Sequence, residues 1–335
     1  MLELVKGDVL SKHLFFKVNL ILLLILLSSC TSNNETLNLN SNDTWIGAGI
    51  AYGPFRDGQE PGGNFPTINQ LSEDLHIISK RWKWIRLYGS RGFTSDILDI
   101  IKKDKLDIKV MLGAWIAKEE NSAEAKANNK QEIDEAIKLA NDFPNIINSI
   151  NIGNETMVFW SDHKVDINQM KEYIKYTADR VNVPVTTSDD FNFWNKEESM
   201  EIAEVCDFIV VHIHPLWAGL QIDSSVDWVQ NIYQQIKDFH PEKTIVIGET
   251  GWATNKHNQG LQHELIKGIP NEENQMIFYN EFRSWAIGNK IPHHFFVVFD
   301  ENWKGGNNKN EVEKHWGLYY SNRKPKLIFQ NEISR

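Results

Sequence analysis

Cysteine is nearly absent from this chain. Its 335 residues include two, Cys30 and Cys206, so no disulfide framework is available to hold a fold together. Positive charge is also in short supply: 35 Lys+Arg stand against 45 Asp+Glu, for a formal net charge of -10 at pH 7. An acidic chain without a basic stripe is poorly suited to nucleic acid or other polyanions, and neutral substrates fit it better. No glycine fingerprint for a dinucleotide follows the first candidate strand, and no GxxxxGK[ST] phosphate loop occurs anywhere. No cofactor and no metal are expected.

The chain's long aliphatic run is confined to its start, where "LILLLILL" (Leu20 to Leu27) follows Lys12 and Lys17. That layout is a secretory leader's, and the run is shorter than the roughly 20 residues a bilayer-spanning helix needs. The adjoining "LSSC", Leu27 to Cys30, resembles the lipobox of bacterial lipoproteins, which makes Cys30 the expected lipidation site. The organisation that follows is a signal peptide over 1–29, a lipidated cysteine with a flexible Asn-rich tether over 30–44, and one domain over 45–335. An exported, membrane-anchored lipoprotein of the cell envelope, monomeric, is expected. Cys206, in "AEVCDFIVV", reads as a small core residue.

What the chain has in quantity is alternation. Short β-type runs ("WIGAGIAY", "WIRLYG", "IKVMLGAW", "INSINIGN", "VPVTTSDD", "FIVVHIH", "TIVIGET", "FFVVFDE") are separated by helical patterns such as "INQLSEDLHIISK" and "INQMKEYIKYTADR". In the latter, Ile167, Met170, Ile174 and Thr177 share one face at three-to-four-residue spacing. Eight such alternations without a composition break predict a single (β/α)8 TIM barrel, an α/β fold in which chemistry sits at the carboxyl-terminal strand ends.

Those ends carry a polar ring: Arg86 and Tyr88, Trp115, Asn154 and Glu155, Asp189 and Asp190, His212 and His214, Glu249, and Asp300 with Glu301. Glu155 and Glu249 each terminate a near-continuous apolar run, and two carboxyls facing each other across a cavity are what acid and nucleophile chemistry at a glycosidic bond requires. Trp115, Trp160, Trp194, Trp217, Trp252 and Trp303 fall just after predicted strand ends, where flat rings suit sugar faces, although two or three are expected to cap the core instead. "HIH" invites a metal site with Asp300 as a further ligand; more simply, His212 packs inside the barrel and His214 meets substrate. "HNQGLQHE" (His257 to Glu264) reads as solvated rim.

"INIGNE" and "IVIGETGW" resemble the acid/base and nucleophile motifs of glycoside hydrolase family 17, in the clan of retaining (β/α)8 glycosidases. "GIAYGPF", "IRLYG", "VVFDENWK" and "EKHWGLY" resemble its first, second and eighth strands and closing segment, so the likeness spans residues 45 to 320. The resemblance implies that Glu155 is the general acid/base, Glu249 the nucleophile, and Asn154 a partner of the sugar 2-hydroxyl. It further implies a supporting cluster of Glu301, Lys304 and Glu313, with Tyr88, His214 and Trp217 lining the cleft and Trp252 shaping the sugar site. "HIHPLW" departs from the tyrosine-proline pattern common in plant members. The implied activity is cleavage of β-1,3-glucan such as laminarin. Two alternatives are a β-1,3-glucan transglycosylase with the same site and a non-catalytic surface glycan-binding lipoprotein.

Overall fold

A computed structural model describes residues 35–119 and 122–330; the leader, Cys30 and the lipobox lie outside them. Eight parallel strands close into a barrel in sequence order: β1 Ala48–Ala51, β2 Trp84–Arg86, β3 Lys109–Ala114, β4 Ile147–Asn154, β5 Val185–Asp190, β6 Ile209–His212, β7 Ile245–Glu249 and β8 His293–Phe295. The main helices that follow the strands are α1 Ile68–Ile78, α2 Thr94–Lys103, α3 Ala123–Asp142, α4 Ile167–Ala178, α5 Ser199–Val205, α6 Ile222–Phe239, α7 Glu272–Gly288 and the single turn α8 Leu327–Gln330, with short helices at Phe191–Trp194 and Gly260–Leu265 besides. The expected (β/α)8 barrel is the architecture found.

Local chemistry sets the helix starts. Thr67 and Gln70 form a reciprocal capping box at α1, and Asp166 accepts from Asn168 and Gln169 N–H at α4, which satisfies amides that the first turn leaves without partners. Met170, Ile174 and Thr177 of α4 are buried as the spacing predicts.

Apolar packing falls into two layers. The larger lies between strands and helices; the smaller fills the barrel floor with Ile46, Trp84, Met111, Phe208, Val210 and Val246. Leu37 and Leu39 pack against that floor, Ile46 N–H donates to Leu39 O at 2.8 Å, and Asn40–Ser41 pairs with Thr44–Trp45 as a small hairpin. The expected tether is thus shortened: from Glu35 the chain belongs to the folded unit. The reason is the alternation in "TLNLN", which sends two leucines to one side.

Strand eight is shifted relative to expectation. It pairs over His293–Phe295 rather than Phe295 to Glu301, and the following Phe296–Val297 peptide is cis. Val298 N–H still reaches Ala51 O at 3.1 Å, so "VVFDE" runs beside β1 outside the ladder. The chain then closes on itself: Lys326 Nζ stands 2.8 Å from Asp300 Oδ1, and Arg323, with Arg56 and the Tyr52 hydroxyl, engages the fully buried Asp74.

Candidate active site

Strand β4 delivers its acid by leaving regular geometry. Its register against β5 shifts between Asn151 and Asn154, Gly153 takes φ 77 and Glu155 takes φ 53. A side chain at 153 would be strained in that conformation and would crowd Met170 and Thr156, which explains the glycine in "IGNE". A left-handed glutamate costs of order 1 kcal/mol or more and is found where surrounding structure enforces it. Here Glu155 N–H donates to Ser188 O at 2.9 Å, and the buried Asp189 carboxylate accepts Met157 N–H at 2.8 Å, which clamps the turn just past the acid.

Glu249 ends β7 and is almost fully enclosed. Its Oε1 accepts from Arg86 Nη1 at 2.6 Å and from the Tyr88 hydroxyl at 2.9 Å, and its Oε2 lies 3.2 Å from His214 Nε2. Arg86, buried to 1%, uses Nη2 on Asn154 Oδ1 at 2.6 Å and on Ser188 Oγ at 2.8 Å. One guanidinium thereby fixes both the carboxylate on β7 and the amide beside the acid on β4. On Glu155, Oε1 lies 2.8 Å from His212 Nδ1. Donor atoms of Glu155, His212 and Glu249 all fall within 4.8 Å of one another.

The environments pull the two acids apart. Burial first, then the negative charge of Glu249, raises Glu155 well above the usual carboxylate range. Burial acts upward on Glu249 too, but the bond from His214 and the charges of Arg86 and His214 outweigh it and hold Glu249 well below that range. His212 itself is pushed down to about 3, by burial above all, so it is neutral at ordinary pH and the cationic support for Glu249 comes from Arg86 and His214. For His214, burial opposes charging, yet its bond to Glu249 and the charges of Glu249, Glu155 and Glu313 raise it. The two carboxyls are thereby pushed in opposite directions, Glu155 towards keeping its proton and Glu249 towards losing its own.

Around this pair stands a second charged group. Lys304 Nζ pairs with Glu301 Oε2 at 2.8 Å, Trp303 Nε1 donates to Glu301 Oε1 at 3.1 Å, and Trp217 Nε1 donates to Glu313 Oε1 at 3.1 Å. Burial disfavours charge on Lys304, but Glu301, Glu313 and Glu249 raise its pKa above the ordinary lysine value. Lys304 is thus paired with Glu301 and also feels the charge of Glu313.

One expectation needs correction. Trp252 does not reach the cleft: it is fully buried, donates Nε1 to Ile269 O at 3.1 Å and packs on Phe278, because the chain turns inward directly after β7. Trp194 is among the tryptophans that pack in the core, and Asp300 pairs with Lys326. Trp115 and Trp160 do stand exposed on the rim, with Trp115 lying against His163 at 5.0 Å between ring centres. Two site residues escaped assignment from sequence, Arg86 and His212. A charge inside the apolar run "WIRLYG" was the available signal for the first.

A closed parallel barrel carrying two neighbouring carboxyls of opposed acidity shifts at its carboxyl-terminal mouth has the make-up of a glycoside hydrolase. A family profile described as BtgE/BtgC glycoside hydrolase domain matches residues 49–317. The chain belongs to that family. Among curated relatives, it is 27% identical over 281 residues to "Probable glucan endo-1,3-beta-glucosidase btgC" of Aspergillus clavatus, covering 78% of this chain and 39% of that protein. It is 24% identical to "Glucan 1,3-beta-glucosidase" of Arthroderma benhamiae, covering 83% and 89%. The chain thus spans about two-fifths of the length of the btgC relatives it matches. Among solved structures, an endo-laminarinase from Formosa Hel1_33_131 superposes with a TM-score of 0.74 at 26% identity over 86% of each chain. A family 17 β-1,3-glucanosyltransferase from Rhizomucor miehei gives 0.66 at 22% identity, covering 83% of this chain and 95% of that one, and supports the fold alone.

Proposed function

We propose that the chain is a retaining glycosidase acting on β-1,3-glucan of the laminarin type. The observation that carries the reading is the carboxyl pair, held within 4.8 Å and split in acidity. So close an approach of their nearest oxygens fits a retaining pair, with carboxyls roughly 5–5.5 Å apart, better than an inverting pair roughly 6.5–9.5 Å apart. The endo-laminarinase likeness and the glucanase names of the relatives support the choice of glucan.

In the first step the Glu155 proton passes to the glycosidic oxygen as the bond from C1 breaks, and Glu249 forms a new bond to C1. In the second, Glu155, now ionised, takes a proton from water, whose oxygen displaces Glu249 with a second inversion. Tyr88, His214 and Arg86 hold Glu249 in its attacking pose, and Asn154 is placed for the 2-hydroxyl. Reducing-end release from laminarin, absent from a panel of β-1,4 and β-1,6 glucans, is the expected result, with the β anomer first in proton NMR. No release from laminarin, or an α anomer first, overturns the reading.

A second fate of the intermediate, transfer to another sugar, is favoured by the exposed rings of Trp115 and Trp160 and by Phe159 in the loop after β4, which offer faces for an acceptor. Products longer than the added oligosaccharide would reveal it. Export and anchoring through Cys30 complete the proposal; incorporation of labelled fatty acid, lost in Cys30→Ala, tests them.

A further inference from the structure

His212 lies between the two carboxyls. Its ring is fully buried, Nδ1 is 2.8 Å from Glu155 Oε1, and Nε2 is 3.6 Å from Glu249 Oε1 with no hydrogen-bond partner. The ring reaches this place because β7 offers no side chain at Gly248, where a Cβ would crowd Val210 Cγ1 and lie 3.1 Å from the His212 ring. Burial and the Arg86 charge, which faces the same ring, keep the imidazole neutral, and a neutral imidazole carries one N–H. We assign that hydrogen to Nδ1, the ring nitrogen within hydrogen-bond distance of a carboxyl oxygen.

We propose that His212 is a positioning residue for Glu155, a role that rests on the reading of Glu155 as acid/base. An Nδ1–H donor on Oε1 serves both of its states: it binds the carbonyl-like oxygen of the protonated acid and the carboxylate that remains after the proton has left. With Oε1 occupied by a donor, the acid proton is confined to Oε2, the oxygen left for the departing glycosidic oxygen. His212 gains and loses no proton during turnover.

The test separates steps that need the acid from those that do not. Laminarin requires protonation of its leaving group, whereas an aryl laminaribioside with a dinitrophenolate leaving group does not. His212→Leu, which keeps bulk and removes the donor, is expected to lower kcat/KM on laminarin about 100-fold, the order of a general-acid contribution. On the aryl substrate kcat/KM should stay within about threefold of wild type. His212→Asn, whose amide nitrogen falls near the Nδ1 place, should recover at least a tenth of the laminarin activity; His212→Gln, whose amide falls near Nε2, should not. If the Leu variant does not fold, the Asn and Gln pair carries the same comparison. Parallel losses on both substrates, or no loss on laminarin, overturn the inference while wild type remains active. A wild type inactive on both substrates sinks the proposed function itself.

Discussion

Arg86 and Glu249, 163 residues apart in sequence, meet across the barrel mouth with Nη1 2.6 Å from Oε1. Both are nearly inaccessible to water, so each needs the other. Replacing Arg86 by Met should cost about 3–5 kcal/mol of stability, because a buried carboxylate is left without its counter-charge. Arg86→Lys keeps the charge but loses the fork that also holds Asn154 and Ser188. A drop of at least about tenfold in kcat/KM is expected, with the acidic limb of the pH profile moved upward as Glu249 becomes easier to protonate. An unmoved limb would contradict the pairing.

The two carboxyls can be told apart by chemical rescue. In Glu249→Ala, azide entering the vacated space attacks the substrate directly and yields an α-glycosyl azide. In Glu155→Ala, given a substrate with a good leaving group, azide attacks the glycosyl-enzyme and yields the β product. Both variants should lose most laminarin turnover, and exchanged anomers in NMR would exchange the two roles.

His214 makes a pH-dependent contribution to stability. Its folded pKa lies above the ordinary 6.5, so the favourable charge is fully present below about that pH and is lost as pH rises through the folded value. His214→Phe should therefore lower the melting temperature most at pH 5 to 6, with the gap to wild type closing towards pH 9. A gap independent of pH would show that only packing against Phe296 and Trp316 had been lost.

The rim and core tryptophans should behave oppositely. Trp252→Ala removes a fully buried ring and should cost about 3–5 kcal/mol. Trp115→Ala removes a ring that is 42% exposed; melting should hardly change while KM for long glucan rises several-fold. Thermal melts and KM on laminarin oligosaccharides distinguish the two.

How much of this was legible in the sequence follows from the range of each interaction. Glu155 and Glu249 stood out because each ends an apolar run, a pattern local to a few residues. The barrel was legible for the same reason, since alternation is local. Trp252 misled because position after a strand does not say whether the chain turns inward, as it does here towards α7. Arg86 and His212 acquire their roles from partners 57 to 163 residues away, which no local pattern encodes. The closing shift of β8 is likewise a property of the assembled ring.

The family match ends at residue 317, yet Arg323 and Lys326 lie beyond it and neutralise Asp74 and Asp300 inside the protein. A shortened gene stopping at the matched boundary would delete the partner of the buried Asp300 and leave the buried Asp74 with Arg56 as its one remaining cation. Expression boundaries drawn from sequence likeness alone would therefore cut away part of what keeps the barrel's interior charges paired.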